Sequence, residues 1–294
     1  MRRVREFQVP DRFFQNVRLH LFANFADLPR PSLMGIFGRP GEGKSVQLEM
    51  SIERCGTEVL WVNAGDLESD NAGEPARLLV AVLKEAAEAT RDGAPTAVVL
   101  HDIDTTLGEW KNNSGTVNHQ HLLAELMHFA DRPRSPRFGG RRIPLFVTGN
   151  DGTKVYQPLT RARRMTLFSW TPTLEEKAEI INAMFGCERA DVFGHVLVSE
   201  FPGQPVAFFA DVLSSLDEIA FLQSSRGFPD DMRQVIAMSQ TAEGRTNVEA
   251  PAHQLDAVRC AAIDMQRERA SSISNFLEEG DREPKGSSQD VHAI

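Results

Sequence analysis

The chain has 294 residues, of which 41% are hydrophobic and 25% charged, a balance that is ordinary for a globular protein. Its formal net charge of −9 argues against a dedicated DNA- or RNA-binding protein, because such proteins usually carry a basic excess. No stretch approaches the roughly 18 to 20 apolar residues that a membrane-spanning helix needs. The three cysteines lie far apart and show no metal-ligand spacing. We therefore expect a cytoplasmic protein with no membrane or nucleic-acid partner.

The elements predicted in chain order alternate between helices and strands up to residue 170. A leading amphipathic helix is predicted over residues 11–27, because its apolar side chains recur at helical spacing. The later helices are predicted from about residue 46, at 75–90 and at 117–131, and the short apolar strands at 33–37, 58–63, 96–104, 143–150 and 165–170. This alternation predicts an α/β fold in which helices cover both faces of a parallel sheet.

The sequence after Trp170 changes in character, since helical patterns replace the strands. Helices are predicted at residues 173–185, 205–222 and 253–277, which indicates a small all-helical domain after the sheet. The polar residues 279–294 are rich in Gly, Pro and Ser and are predicted to be disordered. The predicted domains are therefore an N-terminal helical extension (1–30), an α/β nucleotide-binding domain (31–171), a helical lid domain (172–278) and a tail (279–294).

A glycine-rich motif follows the first predicted strand in the stretch GIFGRPGEGKSVQLEM. Its pattern Gly38-x-x-x-x-Gly43-Lys44-Ser45 is that of a phosphate-binding P-loop, in which Lys44 reaches the β- and γ-phosphates and the Ser45 hydroxyl binds Mg²⁺. The alternative is an ordinary glycine-rich turn, which the flanking strand and helix oppose. The motif predicts ATP and Mg²⁺ as cofactors, bound by Gly38, Arg39, Pro40, Gly41, Glu42, Gly43, Lys44, Ser45 and Val46.

Polar residues also follow two later strands, where groups for hydrolysis would be expected. Asp102 and Asp104 end the strand TAVVLHDID, and we expect them to be catalytic acids, with Asp102 joining Ser45 in holding Mg²⁺. Asn150 ends the strand IPLFVTGN, where its amide could sense the γ-phosphate or orient water. A solvated strand end and a plain turn asparagine are the alternatives.

The stretch PLTRARRM then places Arg161, Arg163 and Arg164 just before a strand. Such a cluster is usually a solvated face, but oligomeric ATPases also supply an arginine to the γ-phosphate bound by a neighbouring subunit. A strand-ending asparagine, then arginines, then a helical lid is the order found in AAA+ ATPases. The order therefore predicts a ring.

From about residue 15 to residue 278 the chain resembles the Rubisco activase family. The matching stretches are GIFGRPGEGKSVQLEM, AGDLESDNAGEPARLL, TVNHQHLLAELMHFADRP, IPLFVTGND, PLTRARRM, FSWTPT and FPGQPVAFF, and LESDNAGEPA is the most diagnostic part. The resemblance, to a compact bacterial form, implies a AAA+ fold with a helical lid. It also implies ATP hydrolysis coupled to remodelling of inhibited Rubisco, which releases tight-binding sugar phosphates. The implied partners are Rubisco and further copies of the chain in a ring, expected to be a hexamer, with carboxysome association as a further expectation.

The resemblance also implies roles for individual positions. Residues 63–74 and 105–116 look like pore loops, and Arg161 and Arg164 correspond to catalytic arginine fingers. The chain departs from the family where His101 precedes Asp102 in place of an asparagine, and where the helix after FPGQ lacks the nucleotide-sensing arginine of the lid. These departures leave two alternatives open, an ATP-gated scaffold that hydrolyses slowly and a remodeller of another client.

Overall fold

The structure is a computed structural model, and the residues that it describes are 8–67, 71, 73–103, 117–187, 192–224, 231–239 and 254–280. The chain divides into two compact units, residues 1–207 and residues 208–294. The domain boundaries predicted near residues 30, 171 and 278 stay predictions.

A five-stranded sheet forms the centre of the first unit, with the strand order β2-β3-β4-β1-β5. The strands are β1 Leu33–Phe37, β2 Glu58–Asn63, β3 Thr96–His101, β4 Leu145–Gly149 and β5 Met165–Ser169. All the pairings are parallel, and β1 pairs with both β4 and β5. The predicted parallel sheet is confirmed. Because its strands run in one direction, the residues that follow β1, β3 and β4 meet at one edge.

The helices of the first unit lie between and after the strands. They are α1 Asp11–Phe25, α2 Lys44–Arg54, α3 Glu74–Arg91, α4 Val117–Asp131, α5 Leu174–Met184 and α6 Val192–Glu200. Short 3-10 turns occur at Ala64–Leu67, Pro136–Phe138 and Gly152–Lys154. The capping box of α5, in which Thr173 and Glu176 bond each other's backbone N–H groups, fixes where this helix begins.

The two faces of the sheet are read from the alternation of buried side chains. On one face, Leu33 and Phe37 of β1 belong to an apolar cluster that also contains buried residues of α3 and α4. On the opposite face, α1 packs against the sheet, since the Phe13 ring lies 5.5 Å from Phe168 and the His20 ring 4.8 Å from Phe146. Helices therefore cover both faces, as the strand and helix alternation predicts.

The described part of the second unit is helical. Its helices are most of α7 Val206–Ser224, which begins at the end of the first unit, then α8 Met232–Ser239 and α9 Leu255–Gly280. Arg269 of α9 lies over the Phe208 ring and donates to Asp211, so α9 packs against α7. The fold class is therefore confirmed as an α/β domain followed by helices. Among the described helices, none is long and apolar enough to cross a membrane.

Candidate functional site

The P-loop joins the end of β1 to the start of α2, and two of its glycines have backbone requirements that other residues meet poorly. Gly43 caps α2 in the left-handed region, with a φ of 77°. At Gly38 the requirement is close approach, because a Cβ atom would lie 1.9 Å from the carbonyl oxygen of Trp170. The loop is therefore tied to the residue that follows β5, and the N-terminus of α2 is aimed at the space that a phosphate would fill.

Lys44 lies across this loop instead of extending into solvent. Its Nζ donates hydrogen bonds to the carbonyl oxygens of Gly38 (2.7 Å) and Arg39 (3.1 Å) and to Asn150 Oδ1 (3.0 Å), and the residue is only 7% exposed. Two predicted site residues from distant parts of the sequence, Lys44 and Asn150, are thus in direct contact. These three acceptors are neutral, so an anionic phosphate would compete well with each of them for the ammonium group.

Ser45, the next residue, contacts a side chain whose role the sequence left open. Its Oγ lies 2.6 Å from Nε2 of His101, and Nδ1 of His101 lies 3.2 Å from Oδ2 of Asp102. The three side chains form a chain at the carboxyl end of β3, with the imidazole in the middle. His101, and not Asp102, is therefore the strand-end residue in contact with the hydroxyl that the P-loop motif assigns to a metal.

Asp102 has an unusual backbone conformation, with a φ of 53°. Residues other than glycine seldom adopt this left-handed region, though aspartate tolerates it better than most. Its N–H donates to Oγ1 of the buried Thr148 on β4, at 3.2 Å, and this bond supports the turn. The turn ends β3 at His101, three residues earlier than predicted, and Asp104 lies outside the described residues.

The donor set at this edge suits a divalent cation that also binds nucleotide phosphates. Ser45 supplies a hydroxyl and Asp102 a half-exposed carboxylate, and both are hard oxygen ligands of the kind that Mg²⁺ takes. His101 adds a nitrogen donor beside them, which a site built for Mg²⁺ alone would not need.

Glu42 has a different environment from its neighbours in the loop. Its side chain is 5% exposed, pairs with Lys177 Nζ at 2.9 Å and accepts from the Val206 N–H at 3.3 Å. Its carbonyl oxygen accepts from Nε1 of Trp170 at 2.8 Å. Of the remaining loop residues, Arg39, Pro40 and Gly41 are exposed, and so is Val46 at the start of α2. Glu42 thus anchors the loop to Lys177 and Val206 through its carboxylate and to Trp170 through its carbonyl oxygen.

The structure distinguishes between the arginines of the predicted finger cluster. Nε and Nη2 of Arg164 each donate to an oxygen of the Asp131 carboxylate at 2.7 Å, and Nη1 donates to the Pro158 carbonyl at 2.9 Å. The hydrogen bond from Arg164 holds the pKa of Asp131 below its ordinary value. Arg161 is exposed, and its side chain makes no hydrogen bond or ion pair with any residue in the described ranges.

The two predicted pore loops fall largely outside the described residues, which exclude 68–70, 72 and 104–116. At the start of the first loop, Asp66 accepts a hydrogen bond from the Asn63 N–H at 2.8 Å, and Leu67 is buried in the core beside α3 and α4. At its end, the Gly73 N–H donates to Asn118 Oδ1 at 2.6 Å. Both ends of the segment are thus fixed to the first unit.

Two contacts of the site, those of His101 and of Glu42, were not predicted. The position of His101 could have been found from strand alternation, since it lies two residues after Val99 and so on the sheet face that α1 covers. The pairing of Glu42 with Lys177 joins residues 135 positions apart, and nothing local in the sequence indicates it.

Comparison with known proteins agrees with this geometry. Residues 34–173 match the family model described as "ATPase family associated with various cellular activities (AAA)". The Rubisco activase of Anabaena sp. is 36% identical over 225 residues, which cover 71% of this chain and 54% of the relative. The chloroplastic activase of Zea mays is 34% identical over 260 residues, which cover 83% of this chain and 59% of the relative. Chloroplastic Rubisco activase 1 of Nicotiana tabacum is 36% identical over 215 residues, which cover 69% of this chain and 49% of the relative.

The chain thus spans about half the length of the curated relatives that it matches. The matched region includes the P-loop, β3, Asn150 and the arginine cluster, which are the parts of the site described above. Residues 34–173 therefore match the AAA family, and the chain is similar to Rubisco activases over most of its length.

Proposed function

We propose that the chain is an ATPase that binds ATP with Mg²⁺ at the carboxyl edge of β1, β3 and β4. The observation that carries this proposal is the convergence of Lys44 with Asn150 and of Ser45 with His101 and Asp102 at that edge. Three separate segments of the sequence meet there. A chance glycine-rich turn has no reason to bring a lysine, an amide and a carboxylate together.

Each side chain has a distinct role in this proposal. Lys44 exchanges its carbonyl acceptors for the β- and γ-phosphates, and the loop N–H groups bind phosphate oxygens. Asn150, already 3.0 Å from the Lys44 ammonium, orients the attacking water or the γ-phosphate. Asp102 accepts the proton of that water. Ser45 and Asp102 would hold the Mg²⁺ ion, which would supply positive charge beside the phosphate oxygens.

The proposal extends to a ring of identical subunits, a hexamer, in which one subunit supplies an arginine to the next. Arg161 suits this role because it is exposed and has no partner in the part of the chain that the structure describes. Arg164 is held by Asp131 and Pro158, so we assign it the task of fixing the segment that carries Arg161. Arginine fingers in NTPases accelerate hydrolysis by about 10³ to 10⁵.

Rubisco is the proposed client, because proteins named as its activases are about 35% identical to this chain over two thirds of it or more. In this proposal the loops at 63–74 and 105–116 contact Rubisco in the centre of the ring, and hydrolysis drives release of bound sugar phosphates. A carboxysome-associated location would place the ATPase beside its client.

A nucleotide-binding assay tests whether ATP binds at the P-loop. Lys44→Ala should abolish binding of a fluorescent ATP analogue, whereas Lys154→Ala, which changes an exposed lysine of the same unit, should leave the affinity unchanged. If Lys44→Ala binds as tightly as the wild type, the nucleotide site is elsewhere.

Mixed oligomers test the ring. Subunits with Arg161→Ala lack the finger, and subunits with Asp102→Asn lack the base, so each variant should be inactive alone. Mixing them should restore phosphate release, because some interfaces then combine an intact finger with an intact base. Mixtures that never exceed the sum of the separate variants would show that Arg161 does not act in trans.

A slower, ATP-gated scaffold remains the second candidate function, and the bond between Ser45 and His101 favours it, because the hydroxyl must leave the imidazole before it can bind a cation. Phosphate release measured with and without inhibited Rubisco separates the candidates. A remodeller accelerates release when Rubisco is present and restores carboxylation. A scaffold binds ATP and Rubisco without either effect.

A further inference from the structure

His101 has the surroundings of a metal-binding histidine. Its Nε2 is directed at Ser45 Oγ, 2.6 Å away, and its Nδ1 at a carboxylate oxygen of Asp102, 3.2 Å away. The imidazole ring lies 6.2 Å from the Trp61 ring on the neighbouring strand β2, which restricts it on one side. Histidines that bind metal ions commonly have a carboxylate beside their second ring nitrogen, and Asp102 occupies that position here.

A metal-binding role for Nε2 requires one particular tautomer of His101. A ring nitrogen that binds a cation carries no hydrogen, so this role requires the neutral tautomer in which the hydrogen is on Nδ1, beside Asp102. In this tautomer the lone pair of Nε2 accepts the hydrogen of the Ser45 hydroxyl. This lone pair is the one that a cation would take, and it lies beside the hydroxyl that the P-loop supplies to the nucleotide-bound metal.

We propose that Nε2 of His101 is a direct ligand of the metal ion that accompanies the nucleotide, so that the preference of the site for first-row transition-metal ions relative to Mg²⁺ is greater than that of a site with oxygen ligands alone. This inference rests on the proposed function, because it assumes that nucleotide binds at the P-loop. The Asp102 carboxylate then lies beside Nδ1 of the imidazole, and Ser45 Oγ is a neighbouring ligand.

The selectivity follows from ligand chemistry. Mg²⁺ is a hard ion that prefers oxygen donors and gives up its water reluctantly. Imidazole suits the later first-row ions, and the affinity of a given site rises from Mn²⁺ through Fe²⁺ and Co²⁺. Replacing an oxygen ligand by His101 Nε2 therefore weakens the site for Mg²⁺ and strengthens it for Co²⁺.

The side chains need to move little for this role. Neighbouring ligands of an octahedral ion with bonds of about 2.1 Å lie about 3 Å apart. Ser45 Oγ and His101 Nε2 are 2.6 Å apart in the present hydrogen bond. An increase of a few tenths of an ångström in this distance would therefore let both atoms bind the same ion.

Pulsed electron paramagnetic resonance on the unaltered chain provides the direct test. Mn²⁺ is bound together with a non-hydrolysable ATP analogue, and electron spin echo envelope modulation detects nitrogen bonded to the ion. We expect a histidine nitrogen signal that changes when the protein is prepared with ¹⁵N-histidine. The signal should be lost in His101→Asn and kept in His195→Asn, which alters an exposed histidine on α6.

Equilibrium binding provides a second readout. The affinity for the same analogue is measured with Co²⁺ and with Mg²⁺, and the ratio of the two affinities is compared between variants. We expect His101→Asn to lower the preference for Co²⁺ by about tenfold or more, the usual scale for changes around a metal ligand, and His195→Asn to leave it unchanged.

The possible results separate this inference from the function on which it rests. Analogue binding without a histidine nitrogen signal, or with a metal preference that His101→Asn leaves unchanged, overturns the role of His101 and leaves the ATPase proposal standing. Absence of analogue binding with every ion tested overturns both.

Discussion

His20 should make the stability of the protein sensitive to acid. It lies on α1, is 6% exposed, and its ring packs 4.8 Å from the Phe146 ring of β4. Burial disfavours the charged imidazolium and lowers the pKa of His20 from 6.5 to about 3, and the positive charges of Arg142 and Arg30 act in the same direction. In the unfolded chain the group titrates near its ordinary value, so the two states bind different numbers of protons over that range.

The sign and size of the effect follow from this difference. Between the folded and unfolded pKa values the unfolded chain binds more protons, so stability falls as the pH is lowered from about 6.5 towards 3. At about pH 5, which is about 1.5 units below the unfolded value, the loss is about 2 kcal/mol at 1.36 kcal/mol per unit. This figure does not depend on the precise folded pKa, because the buried group is still neutral at that pH.

Urea unfolding at about pH 8 and pH 5 measures the effect, with His20→Leu as the test variant and the exposed His195→Leu as the control. The wild type and the control should each lose about 2 kcal/mol more than His20→Leu between the two pH values. The absolute stability of His20→Leu does not enter this comparison. Equal losses in all three proteins would refute the reasoning.

Two further changes test the connections of the P-loop. Lys177→Met leaves the buried Glu42 carboxylate without its charged partner, so we expect the free energy of unfolding in urea to fall by about 3 to 5 kcal/mol. The control Arg134→Met breaks an exposed pair with Asp27 and should lower it by less than about 1 kcal/mol. Equal losses in the two variants would contradict the assigned burial of Glu42. Gly38→Ala places a methyl group against the Trp170 carbonyl, so it should lower the free energy of unfolding by about 1 to 3 kcal/mol and weaken ATP binding. A melting temperature and an ATP affinity equal to those of the wild type would contradict this expectation.

The sequence predicts the sheet well because its strands are short apolar runs bounded by Gly, Pro and polar residues. The predicted strands at 33–37 and 58–63 have those bounds in the structure, and the helix predicted at 117–131 does too. The strand order was not predicted, since it depends on where each crossover returns and the local pattern carries no such information. The end of β3 was placed too late because an aspartate in the left-handed region looks like any other aspartate in a sequence.

The predicted site is harder to judge from sequence, because residues of one type can have different surroundings. Arg161 and Arg164 are the same residue type, and they differ in that Arg164 contacts Asp131, 33 residues away, and the Pro158 carbonyl. The surroundings also matter for the nucleotide-sensing arginine that the helix after FPGQ lacks. Leu213 and Ser215 on α7 are two positions where an arginine could be restored, and Leu213 is only 7% exposed, so an arginine there would have to be buried. Ser215 is the less buried of the two neighbouring positions and the better place to restore a charge.

The contacts of Trp170 and Glu42 explain how the nucleotide site is joined to the helices that follow the sheet. Trp170 donates its N–H to Phe37 at 2.6 Å and its indole N–H to the Glu42 carbonyl at 2.8 Å, so one residue binds the loop at both ends. Glu42 in turn pairs with Lys177 on α5. The interior of the protein is close-packed, and a loop held at three points cannot shift alone. Any displacement of the P-loop on binding phosphate must therefore be accommodated by Trp170 and α5, which makes α5 the first helix of the C-terminal segment to respond to nucleotide.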